Sequence, residues 1–244
     1  MTSTTAWDEP AGITARGTLV LLPGRGEQPA LYQRFGRRLA ADGYRVRALP
    51  DPAVDLEQAT TQLKNALTGP DSVAPRVLVG VDTGALAALR LAATGAVQVD
   101  ALILVGLPDP ELADGQPGSW DEEVEQRASC PSHRGLLADE VLVERGALTL
   151  DRIPPALREP VDLPALTLPV LGLHGENDAI SAFDAALARY ALLPDAQVVR
   201  VSDGRHDVLN AASHRSVAAR VVLFLEDLRT GLGAEPILQE VPHE

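Results

Sequence analysis

A three-layer α/β architecture, a mostly parallel sheet between two layers of helices, is what this sequence predicts, and three observations carry it. Short continuous apolar runs recur along the chain, amphipathic stretches separate them, and the runs end in turns rich in glycine, proline or aspartate. A strand that is apolar at every position must be covered on both faces, which is the condition of a parallel sheet with crossover helices. At 244 residues, 45% of them hydrophobic, the chain is long enough to bury such a core with a small insertion.

The first buried strand is Gly17 to Leu22 (GTLVLL), followed by the loop Pro23-Gly24-Arg25-Gly26-Glu27 and a helix near Ala30 to Asp42, stopped by Gly43. A strand from Tyr44 to Leu49, the Asp51-Pro52 turn and an amphipathic helix from about Asp55 to Leu67 come next. Arg76 to Arg90 is an apolar run that breaks at a glycine-bracketed turn and becomes an alanine-rich helix, and Ala101 to Gly106 is another buried strand. From Leu107 to Ala165 the alternation lapses into acidic and proline-rich sequence without a clear strand. Short helices above the sheet are expected there, so that 1–106 and 166–244 form the core and 107–165 a small helical cap insertion. The alternation resumes with Pro169 to Leu173, a helix from Ala182 to Leu192, a strand from Gln197 to Val201 and a helix from Ala211 to Leu228, and 231–244 reads as a loosely held tail.

A formal charge of -13, with no basic run to offset it, argues against nucleic acid or an anionic membrane surface and leaves a diffusing small molecule as the expected partner. Cys130 is the only cysteine, which excludes an intramolecular disulfide and a thiol metal cluster. The amino terminus lacks a basic region followed by an apolar core, and no apolar run has the length of a bilayer span, so a soluble, cytoplasmic protein is expected. The first loop lacks a G-x-G-x-x-G fingerprint, and neither a metal nor another cofactor is expected.

The turn Gly80-Val81-Asp82-Thr83-Gly84 has the spacing of the G-x-S-x-G nucleophile elbow, with Asp82 where serine would stand. Aspartate is also a common helix N-cap, so the turn alone is a weak signal. Two later strand ends add to it: His174-Gly175-Glu176-Asn177-Asp178 and Gly204-Arg205-His206-Asp207. Asp82, Asp178, His206 is the chain order of nucleophile, acid and base in one known hydrolase architecture.

On these residues the sequence resembles the α/β-hydrolase fold superfamily over essentially its whole length. Its LHGENDAIS and GRHDVLN segments are similar to the acid and base loops of the monoacylglycerol lipase and lysophospholipase-like branch. The resemblance implies that Asp178 orients His206, that His206 is the general base, and that Asp109 is the reserve candidate for the acid. It implies that the backbone N–H groups of Arg25 and Thr83 form the oxyanion hole, although Pro23 replaces the histidine usual before that loop. The Arg25 side chain is expected to pair with Glu27, the alternative being contact with a substrate anion, and His174 is expected to be structural.

An aspartate at the elbow changes the feasible chemistry. A carboxylate attacking an ester carbonyl is expelled again more readily than an alkoxide, whereas attack on a saturated carbon leaves an alkyl ester that His206-activated water can hydrolyse. Epoxide hydrolases and haloalkane dehalogenases of the superfamily work in that way, and the leading expectation is such an enzyme, acting on an epoxide or related electrophilic carbon. The alternatives are an ester, thioester or lactone hydrolase, and a non-hydrolytic binding or biosynthetic protein. Leu107 to Ala165 contains no tyrosine to protonate an epoxide oxygen, so Trp120, His133 and Arg134 are the tentative substrate-binding residues.

Overall fold

The computed structural model describes residues 4–109, 117–148, 152–231 and 237–238. Seven strands form one sheet: β1 (Thr5–Trp7), β2 (Gly17–Leu22), β3 (Tyr44–Ala48), β4 (Arg76–Val81), β5 (Ala101–Val105), β6 (Val170–Gly175) and β7 (Ala196–Val201), in the order β1-β3-β2-β4-β5-β6-β7. All neighbours run parallel except β1, which pairs antiparallel with β3. β1 is not among the strands that the sequence predicts. Three residues of mixed polarity carry no periodicity, and the strand is held by its ladder to β3 and by Trp7, whose ring lies so close to Gly36 that a β-carbon there would meet it at 2.2 Å.

The four central strands β2, β4, β5 and β6 are buried almost throughout because each face has its own core. Leu19, Val77, Val79, Ile103 and Leu171 point into one apolar layer, against Phe35 and Leu39 of α1 (Gln33–Ala41) and Val221 and Phe224 of α8 (His214–Thr230). Val20, Leu78, Leu102 and Leu104 point into the other, against Leu63 of α2 (Leu56–Thr68), Leu86 and Leu89 of α3 (Thr83–Ala93) and Tyr190 of α7 (Phe183–Tyr190). This is the three-layer, mostly parallel arrangement expected from the sequence.

Between β5 and β6 the described residues form α4 (Trp120–Arg127), α5 (Pro131–Leu137) and the one-turn α6 (Pro155–Arg158). Leu137 and Val143 enter the first apolar layer, and Ile153, Leu157 and Leu163 the second. No described helix is long and apolar enough to cross a membrane. Of the expected tail, only Gly231 and residues 237–238 lie within the described residues.

Strand order places the functional loops. The chain passes from β2 to β3 on one side and then to β4 on the other, so the loops after β2 and β4 flank the crevice where ligands bind in open α/β sheets. Leu22 is in register with Gly80, which sets the Pro23–Glu27 loop beside the Asp82 turn. Gly175 is in register with Val201, which sets the Asp178 loop beside the His206 loop.

The turn at Asp82 tolerates nothing larger than glycine on either side. A β-carbon at Gly84 would meet the backbone oxygen of Leu22 at 2.2 Å, and one at Gly80 the backbone oxygen of Gly84 at 2.3 Å. These are backbone atoms that cannot swing away. Gly84→Ala should therefore lower stability by roughly 3 kcal/mol in urea denaturation, at the upper end of typical overpacking costs. Gly135→Ala, in α5 with open space around it, should be neutral or gain up to about 1 kcal/mol.

Candidate active site

Asp82 sits at the carboxyl end of β4 with φ 49 and ψ -119, a backbone conformation costly for any residue but glycine. Its side chain does not cap α3. It turns instead to the loop after β2 and is almost wholly buried, 1% exposed. Arg25 meets it three ways: Nε donates to Oδ2 at 2.7 Å, Nη2 to Oδ1 at 2.8 Å, and the backbone N–H to Oδ2 at 3.1 Å.

This corrects the expected Arg25–Glu27 pair. Gly26, with φ 71, turns the chain between them, so that the Arg25 side chain faces Asp82 while Glu27 faces away to Arg127, at 2.6 Å. The backbone donor expected in an oxyanion hole is thereby directed at the protein's own carboxylate.

His206 also lies beside Asp82. Its Nδ1 is 2.8 Å from Asp178 Oδ2 and its Nε2 is 3.6 Å from Asp82 Oδ1. Nε2 is buried and has no hydrogen-bond partner among the described residues, and the same holds for Thr83 Oγ1. Asp178 is fixed in turn, its Oδ1 accepting the backbone N–H groups of Ile180 and Ser181 at 2.9 Å each. His174 is buried with Nε2 2.6 Å from the Ser181 carbonyl oxygen and packs edge-on to Phe183, a structural setting. The three residues that the sequence spaces as a triad are thus brought together.

The charges explain the titration of the group. Burial alone would raise the Asp82 carboxyl, but the Arg25 charge, the His206 ring and the hydrogen bonds from Arg25 outweigh it and hold Asp82 well below the usual carboxylate range. Burial would lower His206, but Asp178, and after it Asp82, push it up to about 10.

A second buried cluster adjoins the first, and sequence reasoning missed it. Arg127 bonds Glu27 and Glu123, and His133 Nε2 is 2.8 Å from Asp207 Oδ2. Tyr32 donates to Glu27. Burial and the Asp207 charge raise the Glu27 carboxyl despite Arg127. Asp51, which accepts from the Gly26 N–H at 2.8 Å, is pushed by burial to about 7. The only sequence signal for this cluster was acidic and basic side chains in the loops and in α4, a pattern that solvated faces share.

Of the tentative substrate contacts, His133 is buried on Asp207. Arg134 donates from Nε to the Ala128 carbonyl at 2.7 Å, and Trp120 packs on the first apolar layer beneath the Arg145 guanidinium. These contacts of Trp120 and Arg134 anchor the residues between β5 and β6. Among the described residues no group of three or more His, Cys, Asp or Glu side chains has the arrangement to hold a metal ion.

Comparison with solved structures bears on the fold. The fold is that of the α/β-hydrolases. The monoacylglycerol lipase of Paleococcus ferrophilus superposes with a TM-score of 0.71 at 17% identity, over 93% of this chain and 98% of that one. The bromoperoxidase of Bacillus anthracis superposes with a TM-score of 0.70 at 20% identity, over 92% of this chain and 95% of that one. An esterase from a Rhodococcus species gives 0.68 at 21% identity, over 92% and 94%. No protein-family model and no curated protein sequence matches the chain. Identities this low establish the hydrolase fold and leave the chemistry to the site itself.

Removing Arg25 should be costly. Arg25→Met would leave the buried Asp82 carboxylate with only the protonated His206 ring, 3.6 Å away, to offset it, with an expected loss of about 3 kcal/mol, while Arg25→Met with Asp82→Leu should recover most of it. The pH dependence has a definite sign. Asp82, depressed on folding, contributes stability above its unfolded value of about 4 that is lost as pH falls further. His206, raised on folding, contributes stability in full below about 6.5 that is lost as pH climbs through about 10. Urea denaturation of wild type at pH 6.5 and 10 should show this alkaline loss, and His206→Gln should flatten it.

Proposed function

We propose that the chain is a hydrolase of a carboxylic ester, thioester or lactone of a small molecule, in which His206, backed by Asp178, activates water. The observation that carries this reading is the buried Nε2 of His206, which has no hydrogen-bond partner among the described residues and lies 3.6 Å from Asp82 Oδ1 while Asp178 holds the ring from behind. The occurrence of a monoacylglycerol lipase and esterases among the similar structures supports it.

In this mechanism the water oxygen attacks the carbonyl carbon as its proton passes to His206 Nε2, and His206 returns that proton to the departing alkoxide or thiolate. The acid and the alcohol or thiol are the products. Asp178 keeps the ring oriented and stabilises the imidazolium. Asp82, with both oxygens engaged by Arg25, is no nucleophile toward a carbonyl, and its charge instead helps hold the protonated ring. The Arg25 guanidinium and the Thr83 backbone N–H are the donors proposed to meet the developing oxyanion.

One observation favours a second reading, an alkyl-enzyme intermediate on Asp82. Asp82 Oδ2 accepts the Arg25 N–H, the contact that would stabilise an oxyanion formed on the enzyme's own carboxyl group. Against it, Oδ1, the oxygen that would attack, is held by Arg25 Nη2. Of the two, water attack is the better supported.

A single turnover in ¹⁸O-labelled water, with enzyme in excess over a primary alkyl ester, whose saturated carbon Asp82 could attack with the carboxylate as leaving group, tests the choice. Label in the first acid released is expected. An unlabelled first product would give Asp82 a covalent role, and wild type that turns over no ester or thioester would overturn the reading altogether. His206→Phe should reduce turnover about 100-fold or more. Because a base must be unprotonated to act, the wild-type rate should climb with pH toward a plateau near the raised His206 value of about 10.

A further inference from the structure

Arg127 is the last residue of α4, is 1% exposed, and belongs to no strand end of the sheet, yet it contacts the loops on both sides of the site. Toward the first loop, Nη1 donates to Glu27 Oε1 at 2.6 Å and Nη2 to the Arg25 carbonyl at 3.3 Å. Toward the second, Nη1 lies 3.9 Å from Asp207 Oδ1 and the Arg127 carbonyl accepts the Asp207 N–H at 2.9 Å. The preceding carbonyl, of Gln126, accepts the His206 N–H at 3.4 Å. On its own helix, Nε donates to Glu123 Oε1 at 3.1 Å, and Glu123 Oε2 accepts the Gly146 N–H at 2.8 Å.

Stability is a poor reason for this arrangement. Taking a guanidinium and carboxylates out of water costs several kcal/mol per ion, and apolar replacements of the same size are often as stable. What a buried guanidinium provides is direction, because its planar donors fix several acceptors at once. Here those acceptors are the carbonyl of the residue that holds Asp82 and the carboxylates of Glu27 and Glu123, while the loop after β7 is held by its backbone N–H groups on the end of α4 and by the Asp207 charge 3.9 Å away.

We propose that Arg127 is a positioning residue that sets the distance between the Arg25–Asp82 pair and the His206 ring by holding both loops to the end of α4. The inference rests on the reading of His206 as the water-activating base. Arg127 acts on the pair and on the ring indirectly, through Arg25, Glu27 and Asp207. The backbone pairs Gln28 N–H to Leu142 carbonyl, at 2.9 Å, and Glu144 N–H to Gly26 carbonyl, at 2.8 Å, tie the first loop to the same inserted stretch.

The test is a pH titration of histidine-labelled protein by nuclear magnetic resonance, in wild type, Arg127→Lys and Glu123→Gln, with the His206 signal identified by its loss in His206→Gln. Lysine keeps the charge but lacks the planar fork, so it separates geometry from electrostatics. In Arg127→Lys the His206 midpoint should fall by about one pH unit, the change expected when an imidazolium is held less closely to a carboxylate. With an ester substrate, kcat should fall while KM holds. A folded Arg127→Lys whose melting temperature drops but whose His206 midpoint stays at the wild-type value overturns the proposal. If Arg127→Lys fails to fold, Glu123→Gln, which loosens the guanidinium without removing it, carries the same expected direction and the same overturning result. The titration needs no substrate, so a wild type inert toward esters would count against the hydrolase reading alone.

Discussion

A negative charge at the tip of β4, removed from water, must be met by a positive one, and most of what surrounds Asp82 follows from how Arg25 meets it. Arg25 reaches Asp82 because Leu22 and Gly80 are in register and because the chain turns at Gly26. Once Arg25 is committed there, Glu27 needs another partner, and Arg127 comes from α4 to supply it. Among the described residues two buried arginines face six buried carboxyl groups, those of Glu27, Asp51, Asp82, Glu123, Asp178 and Asp207. The remaining balance falls to protons: His206 is pushed up to about 10, Asp51 to about 7, and Glu27 is raised. A layer of this kind is stable only as a whole, since each charge is compensated by a neighbour that itself needs compensation.

The stretch between β5 and β6 takes part in that layer. Its apolar side chains join both cores, and the end of α4 carries the only buried guanidinium besides Arg25 among the described residues. Three of the segments that bound the site, the loop after β2, the loop after β7 and the end of α4, are therefore linked through one side chain. Trp120 and Arg134 serve this join, Trp120 by packing and Arg134 by bonding the Ala128 carbonyl.

Six of the seven strands, and the placing of Asp82, Asp178 and His206 at their carboxyl ends, were legible because their signals are local. An apolar run marks a strand covered on both faces, and a residue just past such a run lies at the carboxyl edge, so Asp82, Asp178 and His206 could be placed before any coordinate was known. The ion pairing was not legible. Glu27 is two residues from Arg25 in sequence, but one positive φ at Gly26 sends the two side chains in different directions. Arg127 and Glu123, one helical turn apart, look like a solvated surface pair, and only their burial shows otherwise. Spacing along the chain encodes which face of an element a residue occupies. It does not encode whether another segment later covers that face.

The same spacing has a consequence for how the protein is made. Arg25 and Asp82 are 57 residues apart, on strands that neighbour each other in the sheet, so both partners have been synthesised long before the last two strands emerge. His206 follows β7, the final strand. During translation Asp82 can thus find its counter-ion as soon as β4 is made, whereas Glu27 waits for Arg127 of α4. The imidazole arrives at a carboxylate that is already neutralised, and the reactive part of the site is assembled only after β7 has been made.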